Sequence, residues 1–385
     1  MESQGWPGIF RDGTESWRLS LLLLGLQMLS SPACRAESVR AESVRAKSVR
    51  AKSVRAKSVR AKSVRAKSVR ADFAGDKRQH GRYYTLANPF GHPAFADWAA
   101  ACQLARHTVL EPFAGENSLI THLQGMGLAR RFAAFDIAPA AAEVRPRDTL
   151  ADFPAGFDIC ITNPPWLAKN SATVRGLPFV QTDHDDLYKL ALELCLTHCR
   201  WVAALVPESF IRSGLFHHRL SDFISLRQRL FADTAHPVGL ALFGPPDGQQ
   251  KPDFRLWSGD QFLGSWQGLS RAWLPAITRR GAEIVFNDPA GNLGLIAFDN
   301  VREASIRFCE VGEIAEYAIK QTSRFITRIR APEAPPIEAL NSWLAEFREQ
   351  TGDVFLSGYR GLRKDGRYRR RMDWQLARRV VSHVT

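Results

Sequence analysis

Asn163-Pro164-Pro165-Trp166 brings a carboxamide, two rigid prolines and an indole together directly after the mostly apolar run that begins at Phe157. The apolar run reads as a short buried strand, and two consecutive prolines cannot donate ladder hydrogen bonds, so the backbone must leave the sheet there. Ligands of open α/β sheets bind at the carboxyl ends of strands, where this turn would sit. The Asn163 carboxamide oxygen and the Pro164 carbonyl would then be two acceptors at a fixed separation. That pair suits a planar exocyclic amino group, which offers two hydrogens. A plain strand-ending Asn-Pro turn is the other reading of these four residues alone.

A second set of residues lies upstream. Thr108-Val-Leu-Glu-Pro-Phe-Ala-Gly115 reads as a strand and turn, followed by a helix capped by Asn117 or Ser118. Gly115 permits close backbone approach, and Asn117 tolerates a positive φ. Twenty-one residues past Gly115, the strand Phe132–Phe135 ends in Asp136. An acid at the end of a second strand is how Rossmann-like sheets grip a ribose diol. Glu111 and the lack of a full Gly-x-Gly-x-x-Gly argue for a nucleoside without phosphates. Asp148 closes a third strand, where it either faces the ligand or caps a loop.

The elements that position these groups can be read in order. A helix is expected over Ala94–Ala105, another over Leu187–Cys199, and a fifth apolar strand over Trp201–Val206. Strands at Leu226–Phe231 and Val238–Phe243 flank a Thr234-Ala-His-Pro turn, which suggests a hairpin. Pro245-Pro-Asp-Gly248 reads as a domain boundary. Beyond it, a tryptophan-containing region ends in Tyr359–Arg379, which carries nine Arg and Lys against Asp365 and Asp373. With Tyr359, Tyr368 and Trp374 interleaved, that excess points to phosphate contact through Arg360, Arg363, Lys364, Arg367, Arg369, Arg370 and Arg371.

The chain has 385 residues and a formal charge of +13, with 45% hydrophobic and 10% aromatic residues. This composition is that of a core-forming protein. Residues 36–70 are seven pentapeptides, two Ala-Glu-Ser-Val-Arg followed by five Ala-Lys-Ser-Val-Arg, and they hold ten of the thirteen net charges. A five-residue period gives no continuous apolar stripe, so residues 1–70 are expected to be disordered or irregularly helical and outside the core. The apolar run Leu21–Leu29 has signal-peptide length but lacks a positive leading region, and it is too short to span a membrane. None of the six cysteines has metal-site spacing, so no metal is expected, and all six read as reduced thiols of a cytoplasmic protein.

Taken together, these motifs resemble the S-adenosylmethionine-dependent adenine-N6 DNA methyltransferases whose tyrosine motif precedes the glycine motif. Arg82-Tyr83-Tyr84-Thr85 with Asn88-Pro89-Phe90 is similar to the family's N-terminal cofactor motif. Glu111-Pro112-Phe113-Ala114-Gly115 resembles the first-strand motif, Asp136 the ribose acid and Asp148 the adenine-side acid. Asn163–Trp166 resembles the catalytic tetrapeptide, and Phe231 falls near an aromatic that stacks on the target base. Asn117 stands where a second glycine is usual, and Trp166 where Tyr or Phe is commoner.

The resemblance covers about Lys77–Phe243. It implies a Rossmann-like α/β catalytic domain over residues 71–245 and a basic DNA target-recognition region over 246–385. It further implies S-adenosylmethionine as cofactor, double-stranded DNA as substrate and a flipped adenine sandwiched by Trp166 and Phe231, and it leaves open whether a restriction endonuclease is a partner. RNA or protein-glutamine methylation uses the same tetrapeptide, and a non-catalytic nucleic-acid-binding protein is the remaining alternative.

Overall fold

The computed structural model describes residues 87–227, 230–231, 236–246, 253–333 and 336–384. The tyrosine motif (Tyr83, Tyr84 and Thr85), the apolar run at 21–29, the pentapeptide repeat and the side chain of Arg360 lie outside the described residues.

The chain order of the first part is α1 (Pro93–Ala101), β1 (Thr108–Glu111), α2 (Ser118–Gly125), β2 (Arg131–Asp136), β3 (Arg145–Pro146) and β4 (Ile159–Thr162). Then follow α3 (Lys169–Arg175), α4 (Leu187–His198), β5 (Trp201–Pro207), β6 (Leu220–Leu226) and β7 (Val238–Phe243). Pro93 opens α1, where its missing N–H costs nothing, and His92 Nδ1 accepts from Ala94 N at 3.0 Å. The helix expected to reach Ala105 stops at Ala101, because Gln103 turns left-handed at φ +51°.

One nine-stranded sheet has the order β3-β2-β1-β4-β5-β7-β6, continued by β8 (Arg255–Ser258) and β9 (Gln261–Ser265). Strands β1 to β5 are mutually parallel, and β7 is antiparallel to both β5 and β6. β6 and β8 therefore run in the direction of β5, and their carboxyl ends lie on the edge that carries Glu111 and Asp136. This is the Rossmann-like α/β sheet that the sequence suggested.

Two expectations need correction. The strand placed over Leu226–Phe231 occupies Leu220–Leu226 instead. Asp222 obscured it, since a carboxylate seldom sits inside a strand. Here it is buried and satisfied by Arg255 (2.7 and 3.1 Å) and by Trp257 Nε1 (3.0 Å). Nor does residue 245 separate two cores. Strands β8 and β9 extend the same sheet, and one apolar cluster joins Leu110, Cys160 and Val202 to Phe254, Phe347 and Val380. The described residues form one compact unit.

The remainder comprises α5 (Trp266–Trp273), α6 (Arg279–Ala282), β10 (Val285–Phe286), β11 (Leu293–Ile296), β12 (Arg307–Cys309), β13 (Ile326–Arg330), α7 (Ile337–Thr351), β14 (Ser357–Leu362), β15 (Tyr368–Arg371) and α8 (Trp374–Val384). β10 to β13 make a four-stranded antiparallel sheet, and β14–β15 a hairpin. Cys102, Cys160, Cys195, Cys199 and Cys309 are buried free thiols, and burial pushes Cys102 up to about 12. Cys160 and Cys195 lie 3.6 Å apart across β4 and α4. Among the described residues no helix is long and apolar enough to cross a membrane, and no His/Cys/Asp/Glu group could hold a metal.

Candidate functional site

The four parallel strands β2, β1, β4 and β5 end side by side, and each end delivers a polar group or a turn. Glu111 closes β1, 1% exposed. Its Oε1 accepts from Thr162 Oγ1 at 2.7 Å and from Phe113 N at 3.1 Å. Burial pushes its carboxyl up to about 8, although the bonds from Thr162 and Phe113 pull the other way. Thr162 is the residue before Asn163, so this bond ties the first-strand turn to the tetrapeptide.

Asp136 closes β2 and is fixed by backbone donors. Gly115 N reaches Oδ2 at 2.9 Å and Ala138 N reaches Oδ1 at 2.8 Å. Gly115 has φ +54°, a region cheap for glycine alone, and Asn117 follows at φ +62°. Asn117 begins α2 without capping it through its side chain. Its Nδ2 donates to Glu143 Oε1 at 3.3 Å instead. Thr149 Oγ1 donates to the Pro112 carbonyl at 2.7 Å, binding the third loop to the first. Asp148 itself is exposed, and its Oδ1 accepts from Leu150 N (3.2 Å) and Ala151 N (3.3 Å), so it caps its own turn.

At the tetrapeptide, Pro164 is buried while Asn163, Pro165 and Trp166 are half-buried. Trp166 meets Phe231 edge-to-face, with ring centroids 5.4 Å apart and planes at 88°. Phe231 is 1% exposed in the apolar cluster on one face of the sheet. The expected sandwich of a base between these rings is not the arrangement here: two stacking faces would have to be parallel and one ring-thickness further apart. Trp166 instead borders a cavity of about 420 Å³ with Asp186, Tyr188, Lys189, Pro207 and His236. Burial pushes the Asp186 carboxyl up to about 6, with the neighbouring Asp185 adding to the rise.

The basic C-terminal segment divides by burial. Lys364 and Arg367 are exposed, and Arg369 and Arg371 are partly exposed. Arg363 and Arg370 are buried and committed to carboxylates, which removes them from the expected phosphate-facing set. Arg363 binds Asp365 (2.8 and 3.1 Å) and Asp299 (3.3 Å). Arg370 binds Glu208 through both terminal nitrogens, and Ser225 Oγ also donates to that carboxylate. Asp299 is fully enclosed. Burial would raise it, but bidentate bonds from Arg348 at 2.8 and 2.9 Å hold its carboxyl below the usual range. Reading the sequence missed Glu208, which stands on the turn after β5. Its only signal was the abrupt strand end at Pro207.

The strand order β3-β2-β1-β4-β5-β7-β6, with β7 reversed, is decisive for the architecture. These strands form an open Rossmann-like α/β sheet with one reversed strand, β7. No family model and no curated protein matches the chain. Among solved structures it is similar to a type I restriction-modification methyltransferase subunit from Streptococcus thermophilus, at 17% identity over 46% of this chain and 48% of that one, TM-score 0.33. It is also similar to the type I restriction enzyme EcoKI M protein, at 13% identity over 65% and 68%, TM-score 0.31. The chain spans less than two thirds of the first structures it matches.

Proposed function

We propose that this protein transfers a methyl group from S-adenosylmethionine to the N6 amino group of an adenine flipped out of DNA. The observation that carries the reading is the junction at Thr162. There, Asn163-Pro164-Pro165-Trp166 leaves β4 while hydrogen-bonded, through Thr162, to the acid that closes β1. The polar set beside it fits a nucleoside diol, because Asp136 ends β2 with a carboxyl group and Gly115 leaves its backbone approachable. Asp136 would accept from the ribose diol, and Ile137, 67% exposed beside it, offers an apolar surface for the adenine ring. Bound at that edge, the cofactor supplies an electrophilic sulfonium methyl.

The chain's own residues would then position the acceptor. Asn163 Oδ1 and the Pro164 carbonyl accept the two amino hydrogens, which concentrates the nitrogen lone pair toward the methyl group. Trp166 provides a stacking face, and Phe231, set edge-on against it, props the indole. Base extrusion costs a few kcal/mol and is the step such a pocket must offset. Lys364 and Arg367 are exposed and Arg371 is half-exposed, so a DNA backbone can reach them. A restriction endonuclease partner, as in restriction-modification, fits this activity.

The test is incubation with S-adenosylmethionine labelled on the methyl group, together with duplex DNA, RNA or protein, followed by identification of the labelled product. N6-methyladenine in DNA is the expected product, and Asn163→Ala should abolish it while cofactor binding persists. Label recovered in RNA or in a glutamine amide, or substantial turnover by folded Asn163→Ala, would overturn the reading.

A further inference from the structure

We propose that the outer face of the β14–β15 hairpin is a stacking platform for an unpaired nucleotide of the nucleic-acid substrate, an inference that rests on the reading above. Residues alternate along β15. Tyr368 and Arg370 are buried, whereas Arg369 and Arg371 are half-exposed. The inward residue Arg370 is anchored to Glu208 on the turn after β5, so the hairpin is fixed to the carboxyl edge of the sheet.

On the outward side three aromatic rings converge. Phe298 and Phe325 have centroids 5.6 Å apart, Phe298 and Tyr359 5.7 Å, and Phe325 and Tyr359 5.5 Å. The Arg369 guanidinium lies 4.5 Å from the Tyr359 ring centroid and 5.9 Å from that of Phe298. A backbone bridge between Phe298 and Arg371 sets Phe298 against the hairpin, and its ring meets Tyr359.

A cluster that merely sealed the second sheet would have its rings covered. Here Phe325 is 42% exposed, with Leu362 at 38% and Val301 at 55% beside the same elements. The surrounding charges are complementary to a polyanion. Arg302 and Arg324 are adjacent in sequence to Val301 and Phe325. Lys364 N donates to the Val301 carbonyl at 2.9 Å, and Arg371 adjoins Phe298. The side chains of these four cations make no ion pair among the described residues. Glu303 is the exposed acid nearby in sequence, while Asp299 is enclosed and Asp365 is held by Arg363. One exposed ring, Phe325, set against half-buried Phe298 and Tyr359 and flanked by cations suits a nucleic-acid strand, whose base stacks while its phosphates meet the charges. An apolar protein partner would leave four cations desolvated without partners.

The test is fluorescence anisotropy with a labelled single-stranded oligonucleotide and the corresponding duplex at roughly 50 mM salt. Phe325→Ala should weaken single-strand binding roughly five- to fiftyfold, whereas Phe325→Trp, which keeps a ring, should not. Arg324→Ala combined with Arg371→Ala should flatten the salt dependence of binding by about one to two phosphate contacts. Single-strand affinity unchanged in folded Phe325→Ala overturns the platform. If the wild type still methylates DNA in that case, the catalytic reading stands alone. Loss of oligonucleotide affinity in Phe325→Ala, with no methyl transfer to DNA by the wild type, supports the platform and overturns the catalytic reading. Wild-type protein that binds neither strand nor duplex overturns both.

Discussion

Glu111 is protonated in the folded protein through neutral pH, since burial holds its carboxyl near 8 against an ordinary 4.5. Below about 4.5 the folded and unfolded chains both hold the proton. Between about 4.5 and 8 the unfolded chain has released it and the folded chain has not. Stability should therefore fall as pH rises through that window, by at most roughly 1.4 kcal/mol per pH unit, and level off above it. Glu111→Gln keeps the size of the side chain and should remove this slope, which urea unfolding between pH 5 and 8 would reveal. Identical slopes in the two proteins would place the titration elsewhere. Asp136→Ala should weaken S-adenosylmethionine binding by about 1.5–3 kcal/mol, the value of hydrogen bonds to a charged group. Unchanged affinity by calorimetry would take Asp136 out of the site. The strand-end acids were legible in the sequence because strand, turn and acid follow one another locally. The edge-on meeting of Trp166 and Phe231 was not, because it depends on how a loop 65 residues further along folds back.

At the scale of elements, the hairpin β14–β15 is tied to β5 by a pair of charges 162 residues apart in sequence. A buried guanidinium and carboxylate need not stabilise a fold more than apolar replacements would, but removing one partner strands the other. Arg370→Ala should therefore cost about 3–5 kcal/mol of stability, with a correspondingly lower Tm. Glu208→Gln, which keeps hydrogen-bonding capacity, should cost less. A Tm for Arg370→Ala equal to that of wild type would show that the pair is dispensable. In sequence this arginine looked like its neighbours Arg369 and Arg371. Only strand alternation separates inward from outward residues, and the register of a hairpin is set by partners that sequence alone does not name. The hidden strand β6 teaches the same point through Asp222, whose partners Arg255 and Trp257 lie on β8.

For the whole molecule, the sheet does not end where the methyltransferase-like motifs do. β8 pairs with β6, and helices α7 and α8 contribute Phe347 and Val380 to the cluster that also holds Leu110 and Val202. A chain cut after Gly244 should therefore expose an unpaired β6 edge together with much of that apolar face. It should be recovered aggregated or unfolded rather than as a folded domain, and a soluble, cooperatively melting fragment would refute this. The boundary near residue 245 looked natural because Pro245 and Pro246 break periodicity, yet a proline turn can join strands of one sheet as readily as two domains.

The buried thiols carry a consequence of their own. Cys160, Cys195 and Cys199 lie in and against the large sheet, and Cys309 in the small one, all out of reach of solvent. A thiol reagent can modify them only when the surrounding structure opens, so each sulfur acts as a clock for its own sheet. Once Cys34 is replaced by serine, a common modification rate at Cys309 and Cys195 would mean that the two sheets come apart together. A faster rate at Cys309 would mean that the small sheet breathes while the large one stays closed.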